Sequence, residues 1–187
     1  FYEMARILGV DKLAIIAKRY GLGENILKDI YFDEKKGVVP DTFWKKNAIG
    51  KNWYLGETLH SGIGQGYFQS TPLQLCLMTA QIANGGFEIN PTLINKNLEK
   101  NAKGTRLLNK GVSEQVVSAL RKIVSTEEGT AKLANVPNYE IGGKTGTADK
   151  VLDGEYSEGK VNTFASIFPT SNPKFVFVVM LDGPQKS

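Results

Sequence analysis

The feature that most constrains this chain is a change of apolar period near residue 139. Upstream, apolar residues recur at helical spacing. Downstream they form short extended runs, and a chain that switches period once must pack helices against a sheet. The run Lys174–Leu181 (Lys-Phe-Val-Phe-Val-Val-Met-Leu) is almost continuously apolar and strand-length, so it is expected to be a strand central to the sheet. Thr163–Phe168 reads as a second strand, with Pro169–Pro173 as the turn between them. Tyr139–Ala148 is a third extended run, interrupted by glycines, and the polar stretch 149–161, with Gly154 and Gly159, reads as a hairpin connection. Helices over about 1–135, then a three-stranded antiparallel meander over about 139–182, define an α+β fold.

The helical part has readable ends in places. Residues 3–20 read as helix, with Met4, Ile7 and Leu8 on one apolar face and Leu13, Ile16, Ala17 and Tyr20 on its continuation. Gly9 breaks this run, Asp11 is placed to cap the second piece, and Gly21 ends it. Residues 22–60 carry little periodicity and read as an irregular stretch. Thr71, Pro72 and Gln74 form a capping box ahead of a helix over 71–84 that Asn84-Gly85-Gly86 stops. Its expected buried face is Leu73, Leu77, Ala80 and Ala83, with Cys76 alongside. A further helix over 113–126 is expected to be capped by Ser113 and to bury Val116, Val117, Leu120, Ile123 and Val124, followed by a helical turn around Ala131–Ala134.

Composition excludes several classes. The net charge of +4 is scattered, and Lys35-Lys36 and Lys45-Lys46 read as solvated surface, so no nucleic-acid partner is expected. No apolar run approaches eighteen residues, so no transmembrane helix lies within the chain. The single Cys76 has no internal disulfide partner and reads as core, and the single His60 reads as a surface or turn histidine. The chain opens at Phe1-Tyr2 with neither an initiator Met nor a signal peptide, as expected of a piece of something longer.

The chemistry-bearing run is Gly142-Gly143-Lys144-Thr145-Gly146-Thr147-Ala148. Lys144 supplies a cation that can hold or polarise an anionic group. Thr145 and Thr147 are two apart, so on a strand they share a face and can both donate to one carboxylate. Gly146 removes a side chain and permits close approach to the backbone. Together they suit a peptide with a C-terminal carboxylate added along a sheet edge. A phosphate loop is a poor alternative: position 138 is Asn where that loop needs Gly, and no helix follows Thr145. Gly62-Ile63-Gly64-Gln65-Gly66-Tyr67 lacks the third glycine of a dinucleotide fingerprint and a preceding strand, so it reads as a turn feeding the helix at 71.

These segments, taken in order, resemble the class B penicillin-binding proteins. Gly62 to Gln74 is similar to that family's Gly-x-Gly-Gln-Gly-…-Thr-Pro-x-Gln segment. Ala83-Asn84-Gly85-Gly86, Gly129-Thr130-Ala131 and Lys144-Thr145-Gly146-Thr147-Ala148 follow in the family's order. Trp53-Tyr54, Gly56, Glu57 and Thr58 point to the elongation-type subgroup, penicillin-binding protein 2. The resemblance implies a peptidoglycan D,D-transpeptidase, a serine-type acyltransferase that cross-links stem peptides through an acyl-enzyme and is a β-lactam target. It implies substrate-binding roles for Lys144, Thr145, Gly146 and Thr147, with the strand also lending a backbone N–H to an oxyanion hole. No cofactor or metal is implied. The parent is implied to be anchored in the bacterial inner membrane, with this domain in the periplasm and within a cell-elongation complex concerned with cell shape.

The family's nucleophile is not where it belongs. Two runs match Ser-x-x-Lys, Ser157-Glu158-Gly159-Lys160 and Ser171-Asn172-Pro173-Lys174, but both follow Lys144 and neither suits a helix start. No Ser-x-Asn or Ser-x-Asp occurs. Residues 1–187 therefore read as the C-terminal part of one transpeptidase domain, with no catalytic residue of its own and no activity alone. Its sheet is expected to expose an apolar face and an unpaired edge, leading to self-association or to loops reshaped over that surface. The alternatives are a non-enzymatic β-lactam sensor domain and a serine β-lactamase fragment.

Overall fold

A computed structural model describes residues 1–27, 33–93, 104–152 and 155–183, apart from the side chains of 150–158. The chain divides into two compact units, Phe1–Gln74 and Leu75–Ser187. The first holds α1 (Tyr2–Leu8), α2 (Val10–Arg19), α3 (Thr42–Ile49), α4 (Leu55–Ser61) and the start of α5 (Pro72–Ala83). The second holds the rest of α5, then α6 (Lys110–Ser125), a 3-10 turn (Lys132–Ala134), and the strands β1 (Gly142–Leu152), β2 (Glu155–Phe168) and β3 (Phe175–Asp182).

In the first unit, Met4, Ile7 and Leu8 are exposed, contrary to the expected apolar face. Close packing selects a small residue instead: Ala5 is buried, and a Cβ on Gly62 would come within 2.3 Å of its Cβ. The next helix buries Val10 and Ala14, with Tyr20 just past its end, and leaves Ile16 exposed. Asp11 does not cap its own helix. Its carboxylate accepts from the Thr42 N–H at 3.0 Å and from the Thr42 hydroxyl at 2.9 Å, at the first turn of α3.

Two helices stand in the stretch expected to be irregular. Asp41 caps α3 by accepting from the Trp44 N–H at 2.7 Å, and Gly50 closes it in the left-handed conformation. In α4, Glu57 reaches back to the Tyr54 N–H at 2.8 Å. Both helices are short, at eight and seven residues, so capping rather than an apolar stripe defines them.

Lys45 overturns the surface reading given to Lys45-Lys46: it is 2% exposed. Its ammonium pairs with the Glu57 carboxylate and lies over the rings of Tyr54 at 4.8 Å and of Trp53 and Tyr67 at 5.8 Å. A buried ammonium is tolerated only with such compensation. The Thr71–Gln74 capping box forms as expected, at 3.2 Å and 3.1 Å. The same Gln74 amide, fully buried, donates to the Glu24 and Lys36 carbonyls, each at 2.8 Å. The buried side of α5 is thus partly polar: Gln74, Thr79 and Gln81 are buried beside Leu77, while Leu73 is exposed.

In the second unit, α6 begins three residues before Ser113, with Asn109 accepting from the Gly111 N–H at 2.8 Å. Ser113 is buried, and its hydroxyl donates to the Ile82 carbonyl at 2.6 Å. The sheet is antiparallel in the order β1-β2-β3. The hairpin strands run on through the polar stretch expected to connect them, to Leu152 and from Glu155, because backbone pairing at a hairpin end needs no apolar face. The expectation that the Lys174–Leu181 strand is central does not hold among the described residues: β2 is central and β3 ends the sheet. Phe175, Phe177, Val179 and Leu181, which alternate onto one face, are all exposed.

The Lys45–Glu57 pair makes a pH prediction. Burial pushes the Glu57 carboxyl up, but the Lys45 ammonium, the Tyr54 N–H and the Tyr67 hydroxyl outweigh it and hold the group below its ordinary 4.5. A depressed carboxyl stabilises the fold above its unfolded pKa and ceases to as pH falls through the folded value. Urea unfolding of wild type should therefore lose stability below about pH 4.5, more steeply than Glu57→Gln does. Lys45→Met should cost about 2–3 kcal/mol at pH 7, below the range for a fully buried pair because Glu57 keeps some solvent contact.

Candidate functional site

The site is built on β1. Gly142 is buried, and a Cβ there would lie 2.8 Å from Thr170 Cγ2 and 3.1 Å from the Arg121 backbone nitrogen of α6. A Cβ on Gly143 would lie 2.6 Å from the Phe164 ring and 2.9 Å from the Ala165 carbonyl oxygen. The two glycines let the strand press its backbone onto α6 on one face and under Phe164 on the other. Arg121 adds a tie, donating to the Ile141 carbonyl at 2.9 Å. The strand is thereby fixed just before Lys144.

The register places Lys144 opposite Ala165, Thr145 opposite Phe164, Gly146 opposite Thr163 and Thr147 opposite Asn162. Thr145 and Thr147 fall on the same face, and Lys144 on the other. Lys144 is exposed, and its ammonium curls along the strand to donate to the Thr145 carbonyl at 2.5 Å. A Cβ on Gly146 would lie 2.5 Å from Thr163 Oγ1. What packs on this glycine is therefore the hydroxyl of its own cross-strand neighbour.

Each threonine hydroxyl has a neighbour that the sequence did not flag. Thr145 Oγ1 lies 3.1 Å from Thr130 Oγ1, and Thr147 Oγ1 donates to Asn162 Oδ1 at 3.0 Å. Thr130 stood in the run Gly129-Thr130-Ala131 without an assigned task, and Asn162 becomes visible only once the hairpin register is known. The arrangement offers an edge strand with a cation and two hydroxyls, the hydroxyls on one face. Anion recognition along a strand needs these groups.

The remaining candidates sit elsewhere. Ser157–Lys160 lies within β2, and Ser171–Lys174 lies in the β2–β3 turn, where the Ser171 N–H donates to Glu140 at 3.1 Å. Neither run starts a helix. The Gly62–Gly66 segment is a turn at the end of α4, with Gly64 and Gly66 at positive φ. His60 is exposed. Cys76 is half-buried, and burial pushes its thiol up, away from the reactive thiolate. Among the described residues no group of His, Cys, Asp and Glu could hold a metal ion. No helix among them is long and apolar enough to cross a membrane.

Helices followed by this meander, with Lys-Thr-Gly on its edge strand, make a partial penicillin-binding transpeptidase fold. The chain belongs to the penicillin binding protein transpeptidase domain family, whose model matches residues 1–187. It is 28% identical over 200 residues to the peptidoglycan D,D-transpeptidase MrdA of Acinetobacter baumannii, covering 98% of this chain and 30% of that protein. It is 30% identical over 206 residues to the Haemophilus influenzae MrdA, covering 98% of this chain and 31% of that protein. The penicillin-binding protein PBP2 of Pseudomonas aeruginosa, solved in complex with WCK 5153, superposes with a TM-score of 0.82 at 31% identity, over 98% of this chain and 42% of that one. The PBP2 of Helicobacter pylori, solved in complex with MreC, gives 0.83 at 27% identity, over 97% of this chain and 34% of that one. The chain thus spans less than a third of the length of these curated relatives.

The close approach at β1 is testable by a single methyl group. Gly143→Ala should destabilise the chain by about 1–3 kcal/mol, because the added Cβ meets both a ring and a cross-strand carbonyl. Gly56→Ala, whose Cβ would meet nothing within 4 Å on a backbone that, like that of Gly143, is not at positive φ, is the control for adding a methyl group without the close approach. Thermal unfolding reads both.

Proposed function

We propose that this chain is the C-terminal part of the transpeptidase domain of an elongation-type peptidoglycan D,D-transpeptidase, and that β1 holds the substrate's terminal carboxylate. The observation carrying the proposal is that Thr145 and Thr147 present hydroxyls on one face of an edge strand, in a chain of this family. A stem peptide lies along β1, with its C-terminal carboxylate taken by the two hydroxyls. The Lys144 ammonium adds positive potential at the strand edge. Gly146 keeps the backbone close to its neighbours, and a backbone N–H of the strand contributes to the oxyanion hole.

The reaction joins two stem peptides. A serine hydroxyl attacks the D-Ala-D-Ala carbonyl, its proton passing to a base, and the terminal D-alanine leaves as an ester forms. An amine of a second stem peptide then takes the acyl group and frees the serine. β-Lactams acylate the same serine. That serine and its base lie outside these 187 residues, so this chain alone is inactive and supplies the binding wall. The parent is anchored in the inner membrane with this domain in the periplasm, within a cell-elongation complex. Of these, membership of a complex is supported by the Helicobacter pylori relative, solved with MreC. Neither the sensor-domain nor the β-lactamase alternative has an observation of its own in its favour.

Intact mass after exposure to a labelled penicillin tests the assignment. This chain should gain no adduct, and a longer protein extending upstream should gain one, which Lys144→Met slows by at least tenfold. Stable acylation at Ser157 or Ser171 of this chain would refute the proposal. The open row Phe175, Phe177, Val179 and Leu181 should also drive the isolated chain to self-associate. Sedimentation velocity should show concentration-dependent oligomers that Phe177→Lys with Val179→Lys disperses.

A further inference from the structure

Gly129-Thr130-Ala131 has a structural account but no task in the function proposed above. The segment folds back on the end of α6. The Gly129 N–H donates to the Thr126 carbonyl at 3.1 Å, and a Cβ at this position would fall 2.1 Å from the Ile123 carbonyl oxygen. Ala131 is buried, and its N–H donates to the same Ile123 oxygen at 3.2 Å. Positions 129 and 131 are therefore clamped onto the helix end by a missing side chain and a small one. The residue between them is exposed, with its hydroxyl 3.1 Å from that of Thr145.

A hydroxyl has one proton to give and two lone pairs to accept with. Thr145 can donate to a carboxylate only if that proton is not already given to Thr130. With Thr130 as the donor, Thr145 accepts, and its own proton points outward on the face it shares with Thr147. Hydrogen bonds in such a chain polarise one another, so accepting from Thr130 makes Thr145 a better donor. Thr147 gives its proton to the Asn162 side chain in this structure and releases it only when a carboxylate takes its place. The two hydroxyls of β1 are therefore not equivalent.

We infer that Thr130 is a positioning residue of the β1 carboxylate site. It fixes the Thr145 side chain and, by donating to it, keeps the Thr145 proton available for a ligand carboxylate. The inference rests on the reading that Thr145 and Thr147 hold that carboxylate.

The test uses the full 187-residue chain, its Thr130→Val and Thr130→Ser variants, and two NMR readouts. The first needs no ligand: three-bond couplings to Thr145 Cγ2 report its side-chain rotamer. Wild type and Thr130→Ser should show one rotamer, and Thr130→Val rotamer averaging. The second is titration with acetyl-D-Ala-D-Ala, with its C-terminal amide as the uncharged control. Thr130→Val should weaken carboxylate-dependent binding by roughly five- to tenfold, the scale of one hydrogen bond, and Thr130→Ser should restore it. If wild type binds and Thr130→Val matches it in both affinity and rotamer, the inference is wrong and the carboxylate reading stands. If wild type shows no carboxylate-dependent shifts at Thr145 and Thr147, the carboxylate reading fails. The rotamer comparison then decides by itself whether Thr130 positions Thr145.

Discussion

Everything in the second unit turns on how close a strand backbone can come to a helix. At Gly142 a methyl group would press tightly on the Arg121 backbone and onto Thr170, and at Gly143 there is no room for one beneath the Phe164 ring. A side chain at either place would push the strand outward. The displacement would carry through the β1–β2 register to every residue from Lys144 to Thr147. The Gly-Gly pair and the Lys-Thr-Gly run are therefore one device: the first sets the height of the strand, and the second uses that height. The clamp at Gly129 works the same way two residues further along α6, where the Ile123 carbonyl fills the space a side chain would need.

The parts of the fold that could be read from the sequence are those fixed by local chemistry. The α5 capping box forms between residues three apart, and the Gly85-Gly86 stop lies at positive φ, so both are visible to anyone reading along the chain. The same holds for the three strands, whose apolar or glycine-interrupted runs have no helical alternative. What escaped reading depends on distant partners. Asp11 looks like a cap for the helix it sits in, yet its partner Thr42 is thirty-one residues away. Lys45 looks solvated until Glu57 and three aromatic rings are folded around it. The run Lys174–Leu181 looks central because apolar residues fill both of its faces, but pattern alone does not say what lies on each side.

The same division holds within the site. Lys144, Thr145, Gly146 and Thr147 are consecutive, and period-2 alternation alone puts the two threonines on one face. The contacts of their hydroxyls are not local: Thr130 and Asn162 each stand fifteen residues from their partners. One enters by the fold-back after α6 and the other by the hairpin register. Sequence spacing thus yields the groups proposed to face a ligand, and only the fold yields what holds them.

One amide has a consequence for how such chains can diverge. Gln74 clips the Glu24 and Lys36 carbonyls to a single side chain, and Val38 and Gln69 exchange backbone hydrogen bonds just beyond. The described ends of the segment from 24 to 36 are therefore tied at a neck, and the Leu27 N–H ties them again just inside it by donating to the Glu34 carboxylate at 2.9 Å. Lengthening a loop that is already closed at its base costs only about 0.6 kcal/mol per doubling. Related chains can thus insert, delete or rewrite residues there without disturbing the helix start, provided they keep the glutamine. This is where lineage-specific surface should accumulate while the neck stays constant.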